Sequence, residues 1–347
     1  MSIDVEDSID GFVKAIERNE MLPFLSIYQN LVYSFFFFKK LMKTYNPDFL
    51  VVTGNLTVIP KSMAEKTIVY VHFPTPQDLT LPRIQRDYTS NIWKRLYIQP
   101  YLFISKNIEY GNSDDINLDS LKKATIITNS NYTRNAIKKV WNIDSTVIYP
   151  PCPQYSFPLE DKINTNTDTK TICTLGRFVP QKEYETILKI AKERPQLKFE
   201  LIGGVAEEDI PYLNSLKNKA PKNVTFNVNV TDNQKMEILK KSKILIHSFK
   251  GEHFGIALIE AMSAGLIPVS HNSGAAKEDN IVEEKFRYND LDSALNCLDI
   301  AVSEWNLDKA SQLRQYAQNF SMENYNKNLK LFITNWIKTH QHLFKNK

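Results

Sequence analysis

Cysteine is scarce in this 347-residue sequence: Cys152, Cys173 and Cys297 stand far apart, with no metal-ligand spacing among them. Their odd number and sparseness fit buried thiols in a reducing compartment. Long hydrophobic runs are missing too. The longest clusters, Leu22 to Ile27 and Leu31 to Phe38, are separated by Tyr28-Gln29-Asn30, and neither reaches the ~20 residues of a spanning helix. An excess of one charge sign is also lacking. The formal net charge is +4 and the basic residues are scattered, which argues against nucleic acid as the main partner. No Gly-x-Gly-x-x-Gly opens a strand-helix unit, which disfavours an epimerase or another dinucleotide-dependent Rossmann enzyme. Met1 to Asp10 is acidic, so no signal peptide is expected there.

With 42% hydrophobic residues, the chain can bury one large core or two ordinary ones. Strand-like runs alternate with helical patterns from Phe49 onward, which predicts parallel sheets covered by helices. The strands are expected at Phe49–Gly54, Thr67–Pro74, Ala124–Asn129 and Thr146–Tyr149. In the second half they are expected at Thr171–Leu175, Phe199–Ile202, Val224–Val228, Ile244–His247 and Pro268–His271. Early helices are expected near Pro23–Tyr45, Ser90–Tyr101 and Asn131–Val140. Later ones start near Gln181, Glu208, Asp232 (read as an N-cap) and Gly255. The polar stretch Pro158 to Lys170 lacks apolar periodicity and reads as a linker. The expected division is a Rossmann-like domain over 1–157, a linker over 158–170, a second Rossmann-like domain over 171–320, and a C-terminal helix over 321–347. Phe35 to Phe38, beside Lys39, Lys40 and Lys43, reads either as a buried helix face or as a peripheral contact with an anionic leaflet.

The most informative stretch runs from Ile244 to Val282. Glu252 and Glu260 lie eight residues apart on either side of Phe254-Gly255-Ile256, in a strand-loop-helix-strand layout. One carboxylate falls in the loop at the helix N-terminus and the other inside the helix. The free backbone amides around Phe254 to Ala257 are then available to an anion. Hydroxyl acceptors on either side of a diphosphate-binding helix end suit a nucleotide-sugar. Ile256, Leu258, Ile259 and Met262 make the helix apolar nearly all round, so an embedded Glu260 needs a partner. Asp290-x-Asp292 mimics a metal-binding pair but precedes a helix and reads as capping.

Gly176-Arg177 with Lys182, then Leu201-Ile202-Gly203-Gly204, then Glu252-x7-Glu260, resemble the donor domain of family 4 glycosyltransferases. YVHFPT (Tyr70–Thr75), VIYPPC (Val147–Cys152), EHFGI (Glu252–Ile256) and HNSG (His271–Gly274) resemble one branch of that family. Its members are GDP-mannose-dependent α-1,2-mannosyltransferases extending dolichol-diphosphate-linked oligosaccharides. The resemblance implies a GT-B fold, with two Rossmann-like domains facing across a cleft and the C-terminal helix returning toward the first. It implies a retaining, metal-independent transfer with no cofactor beyond the nucleotide-sugar substrate. The acceptor is then a lipid-linked or other glycan, and the place of action the cytoplasm or, peripherally, the cytoplasmic membrane face. Arg177 and Lys182 would neutralise the departing diphosphate, each charge-assisted hydrogen bond contributing ~1.5–3 kcal/mol. Glu260 would accept from the ribose hydroxyls and Glu252 would hold a hydroxyl of the donor sugar. His253, Phe254, Gly255 and Ile256 would form the approach to the sugar and phosphates. Gly176, Gly203, Gly204, Val228 and Val230 would lie along the edge that meets the nucleotide. His72, at the end of a first-domain strand, would orient donor sugar and acceptor.

Two features depart from that pattern. Met1 to Glu20 holds a single glycine, Gly11, where the family opens with a strand and a Gly-rich loop, so the first domain is expected to be shortened. Ala275-Ala276 stands where the branch usually has Gly-Pro. The shortened domain motivates an alternative expectation: a non-catalytic GT-B subunit that binds nucleotide-sugar or a partner transferase.

Overall fold

The computed structural model describes residues 43–45, 47–53, 61–74, 92, 96, 118–163 and 171–344. Most of the expected helices near Pro23–Tyr45 and Ser90–Tyr101 lie outside these, as do Phe35 to Phe38 and Met1 to Glu20. The chain divides into two compact units. One comprises Met1–Ile127, Lys139–Ile143 and Gln341–Lys347; the other comprises Thr128–Lys138 and Asp144–His340.

In the first sheet, β1 (Leu50–Thr53), β2 (Thr67–Val71), β3 (Thr125–Thr128) and β4 (Thr146–Val147) lie in that order. β1 and β2 are parallel, Val52 opposite Val69. Every residue of β2 is buried, as expected of a largely apolar strand inside a parallel sheet. A helix, α1 (Leu118–Lys123), precedes β3, and α2 (Asn131–Trp141) follows it.

The second sheet holds six strands: β5 (Thr171–Leu175), β6 (Lys198–Gly203), β7 (Val224–Val228), β8 (Ser242–His247), β9 (Ile267–His271) and β10 (Arg287–Tyr288). Their order across the sheet is β10-β9-β8-β5-β6-β7, and all the pairings are parallel. From β5 the chain first winds outward through β6 and β7. It then returns to the other side of β5 and winds outward again through β8, β9 and β10. The reversal between β5 and β8 is the topological switch point at which doubly wound sheets take their ligands. Ile172, Leu201, Ile244, Leu245, Ile246 and Ile267 are fully or nearly fully buried at its centre, and each is worth ~1.5–3 kcal/mol of apolar burial.

The covering helices are α3 (Tyr184–Glu193), α4 (Ile210–Lys219), α5 (Asp232–Lys241), α6 (Ile256–Ser263), α7 (Ala275–Glu278), α8 (Leu291–Glu304), α9 (Leu307–Ala317) and α10 (Met322–Thr339). The cap of α5 is Thr231, not Asp232. The Thr231 hydroxyl accepts from the Gln234 amide while the Gln234 side chain accepts from the Thr231 amide, a reciprocal box open to threonine and glutamine. Asp290 caps α8, its carboxylate accepting from the Ser293 amide. Part of the polar stretch expected as a linker is docked: Leu159–Lys162 forms a 3-10 turn. The Lys162 ammonium, fully buried, donates to the carbonyls of Leu239 and Ser242 at 2.6 and 2.7 Å. β10, two residues long, was not expected, being too short to show a periodicity. Among the described residues no helix is long and apolar enough to cross a membrane.

Candidate functional site

The loops leaving the carboxyl ends of β5 and β8 meet at the switch point. Lys182 comes from the turn after β5, His247 is the last residue of β8, and Glu252 sits in the loop before α6. The Lys182 ammonium and the His247 Nε2 each lie 2.9 Å from one oxygen of Glu252, Oε2. An ionised carboxylate only accepts, so Nε2 carries the proton in this contact. Oε1 has no partner among the described residues. Burial pushes the Glu252 carboxyl up, but the His247 hydrogen bond and charge, with the Lys182 ammonium, outweigh it and hold the group well below the usual carboxylate range. Lys182 also lies 4.2 Å from the centre of the Phe249 ring, and its carbonyl accepts from the Ser248 hydroxyl. Next to it Glu183 takes φ +49°, uncommon for a residue with a Cβ. The Glu183 carboxylate pairs with Lys250 at 3.0 Å, a second tie between the two loops.

A carboxyl with a depressed folded-state value contributes stability that is present above its unfolded value, about 4.3, and is lost as the pH falls through the folded one. Glu252→Gln is therefore expected to flatten the acid limb of a urea-midpoint profile below about pH 4. Identical acid limbs in the two proteins would contradict the assignment.

The Glu252 loop is held from three sides. The Gly251 amide donates to the Ser273 hydroxyl, and the Ala275 amide donates to the Glu252 carbonyl. Gly274 has φ +64°, and a Cβ there would come within 2.4 Å of the Glu252 carbonyl oxygen. The HNSG motif thus serves to seat Glu252. From the third side, the Ser130 hydroxyl donates to the His253 carbonyl. Asp279 accepts from the amides of Asn131 and Tyr132 and from the Tyr149 hydroxyl. The ring of Phe254 is buried against Tyr149 and Phe320, with centroids 5.7 and 5.6 Å away. It anchors the loop; the ring itself does not line an approach.

Gly255 caps α6 with φ +95°, and a Cβ there would come within 2.8 Å of Leu258, so the fold alone demands glycine. Leu258 carries the first amide of α6 with an intrahelical acceptor, the Gly255 carbonyl. The amides of Ile256 and Ala257 stand at the helix's open N-terminus, where the Ile256 side chain is exposed. Glu260 is the fifth residue of α6 and is buried. Its Oε1 accepts from the Tyr155 hydroxyl at 2.8 Å and the Lys235 ammonium at 2.9 Å. The partner that a carboxylate on an apolar helix requires is therefore double.

Gly176, Gly203 and Gly204 knit the strand ends together. The Gly176 amide donates to the Ile202 carbonyl, the Phe178 amide to that of Gly204, and the Asn229 amide to that of Gly203. Val228 and Val230 are half-buried on the same edge. Arg177 is exposed just past β5, and among the described residues no carboxylate pairs with it. His72 belongs to the other unit: it is exposed at the end of β2, edge-on to Tyr70 at 5.1 Å.

Of the residues expected from sequence, Lys182 and Glu252 meet directly, and Gly176, Gly203 and Gly204 share the neighbouring backbone. Glu260 has a cluster of its own. His247, Tyr155, Lys235 and Gly274 were missed as contributors. The one available signal for His247 is its place at the end of the expected strand Ile244–His247; for Tyr155 and Lys235 no spacing points to Glu260.

Residues 157–320 match the model of the glycosyl transferases group 1 family. Solved structures agree on the frame. Sucrose-phosphate synthase from Thermosynechococcus elongatus superposes with a TM-score of 0.65 at 14% identity, over 92% of this chain and 80% of that one. WaaG, a glycosyltransferase involved in lipopolysaccharide biosynthesis, gives 0.57 at 14% identity, over 84% and 78%. The fold is the GT-B fold, and residues 157–320 resemble the group 1 glycosyl transferases. Within that class, the chain is 30% identical over 241 residues to the GDP-Man:Man(3)GlcNAc(2)-PP-Dol alpha-1,2-mannosyltransferase of Xenopus laevis, covering 61% of this chain and 48% of that protein. The Mus musculus protein of the same name is 28% identical over 244 residues, 61% of this chain and 47% of that protein. The chain spans about half the length of these relatives.

Proposed function

We propose that this chain is a retaining glycosyltransferase that moves mannose from GDP-mannose onto a lipid-linked glycan, at the cytoplasmic face of a membrane. The observation that carries the reading is the Lys182–Glu252–His247 cluster at the switch point of a group 1 domain. Lys182 and the exposed Arg177 supply positive charge after β5, and the open end of α6 supplies amides. Together they neutralise a leaving diphosphate without a metal. The charge on that group grows as the sugar leaves, so these contacts strengthen in the transition state and lower the barrier rather than only binding substrate. Glu252, fixed through Oε2, presents Oε1 to a hydroxyl of the transferred sugar, and Glu260 does the same for the nucleotide. No side chain is assigned as nucleophile. A lipid-linked acceptor makes the contact with the membrane peripheral.

The test is a thermal-shift panel of GDP-, UDP- and ADP-sugars followed by a transfer assay on a dolichol-diphosphate glycan. A donor at 100 times its dissociation constant stabilises the chain by ~2.7 kcal/mol. Stabilisation by GDP-mannose with transfer is the expected outcome. No shift with any sugar nucleotide overturns the reading, and a shift without turnover favours a non-catalytic binding subunit.

A further inference from the structure

Both donors that reach Glu260 converge on one of its oxygens. The Tyr155 hydroxyl and the Lys235 ammonium bond Oε1 at 2.8 and 2.9 Å. Oε2 has no partner among the described residues, and the Glu260 side chain keeps 10% of its surface exposed. Neutralising a buried carboxylate needs one cation. A second donor on the same oxygen, from a different segment, adds orientation: a lone ammonium lets the carboxylate swivel, whereas two fixed donors set its plane. Their supports are separate. Lys235 projects from the first turns of α5 and is also 3.4 Å from Asp232. Tyr155 lies in the segment after β4, its ring 5.9 Å from that of the buried Phe157.

We propose that Tyr155 and Lys235 are positioning residues that turn Glu260 so that Oε2 accepts from the vicinal hydroxyls of a bound nucleotide's ribose. This rests on the nucleotide-sugar reading above and adds the two residues that set the carboxylate's aim. A plain structural role would stabilise the domain without distinguishing ligands. Positioning instead makes affinity depend on the ribose hydroxyls through Tyr155 and Lys235.

The experiment measures, by calorimetry on the whole chain, the affinities of GDP and 2′,3′-dideoxy-GDP for the parent, Tyr155→Phe and Lys235→Met. The parent is expected to prefer GDP by about tenfold or more, the worth of one or two hydrogen bonds to a charged group. Each variant should lose most of that preference while binding the dideoxy analogue within about twofold of the parent. Tyr155→Phe removes one oxygen and keeps the ring packing, so it reports even if Lys235→Met fails to fold. Variants that keep the parent's preference, or that weaken both ligands equally, overturn the proposal and leave the nucleotide site standing, as does a parent that binds the two ligands equally. A parent that binds neither ligand overturns the nucleotide reading and this inference with it.

Discussion

Lys182→Ala is expected to lower kcat/KM for mannosyl transfer from GDP-mannose by about 10²–10³-fold, the usual cost of removing one preorganised charge stabiliser. The Lys182 ammonium is already fixed, 2.9 Å from Glu252 and over the Phe249 ring, so little is spent on ordering it when the diphosphate arrives. Its removal acts twice. The leaving group loses a cation, and Glu252, which Lys182 and His247 hold ionised against burial, keeps only the histidine. The loss should fall mainly on kcat, because charge builds on the diphosphate as the bond breaks. Arg177→Ala should act in the same direction, and since Arg177 is exposed without a carboxylate partner among the described residues, it should leave the unfolding midpoint unchanged. Steady-state kinetics with GDP-mannose decide the matter. A Lys182→Ala enzyme within about threefold of the parent would remove this lysine from the chemistry.

Gly203→Ala is expected to cost about 3 kcal/mol or more of stability, while Gly204→Ala next door should stay within ~0.5 kcal/mol. A Cβ on Gly203 would lie 1.9 Å from the Gly176 carbonyl oxygen. That carbonyl cannot retreat easily. It accepts from the Tyr184 hydroxyl at 2.8 Å, and the residue's amide is bonded to Ile202. A Cβ on Gly204 would meet only Asn229 Oδ1 at 3.5 Å, an ordinary contact. Urea unfolding of both variants separates them, and equal costs would contradict the account of this junction. Because β5 and β6 close here against the turn that carries Lys182, the Gly203 variant should also weaken nucleotide binding.

Strands whose apolar runs are bounded by polar turns are legible in the sequence. β5 and β7 fall at the expected residues, while β6, β8 and β9 extend one or two residues further. The two glutamates were readable because their spacing places one before α6 and one within it. The capping roles were partly readable. Asp290 holds, whereas Asp232 gives way to Thr231, since a threonine followed three residues later by glutamine closes a reciprocal box. What sequence hides is convergence over long separations. Tyr155 and Glu260 are 105 residues apart, and Lys182 and Glu252 are 70. Only the order β10-β9-β8-β5-β6-β7 brings the last two to one edge. Phe254 shows the converse limit. Its place in a motif suggests ligand contact, but its ring is consumed by an aromatic cluster with Tyr149 and Phe320.

Crystals of the chain grown with GDP-mannose test the site most directly. The diphosphate is expected within hydrogen-bond distance of the Lys182 ammonium and at the open end of α6, with the ribose on Glu260 Oε2 and the mannose on Glu252 Oε1. A nucleotide bound away from the β5–β8 edge, or a diphosphate that leaves Lys182 paired only with Glu252, would contradict it.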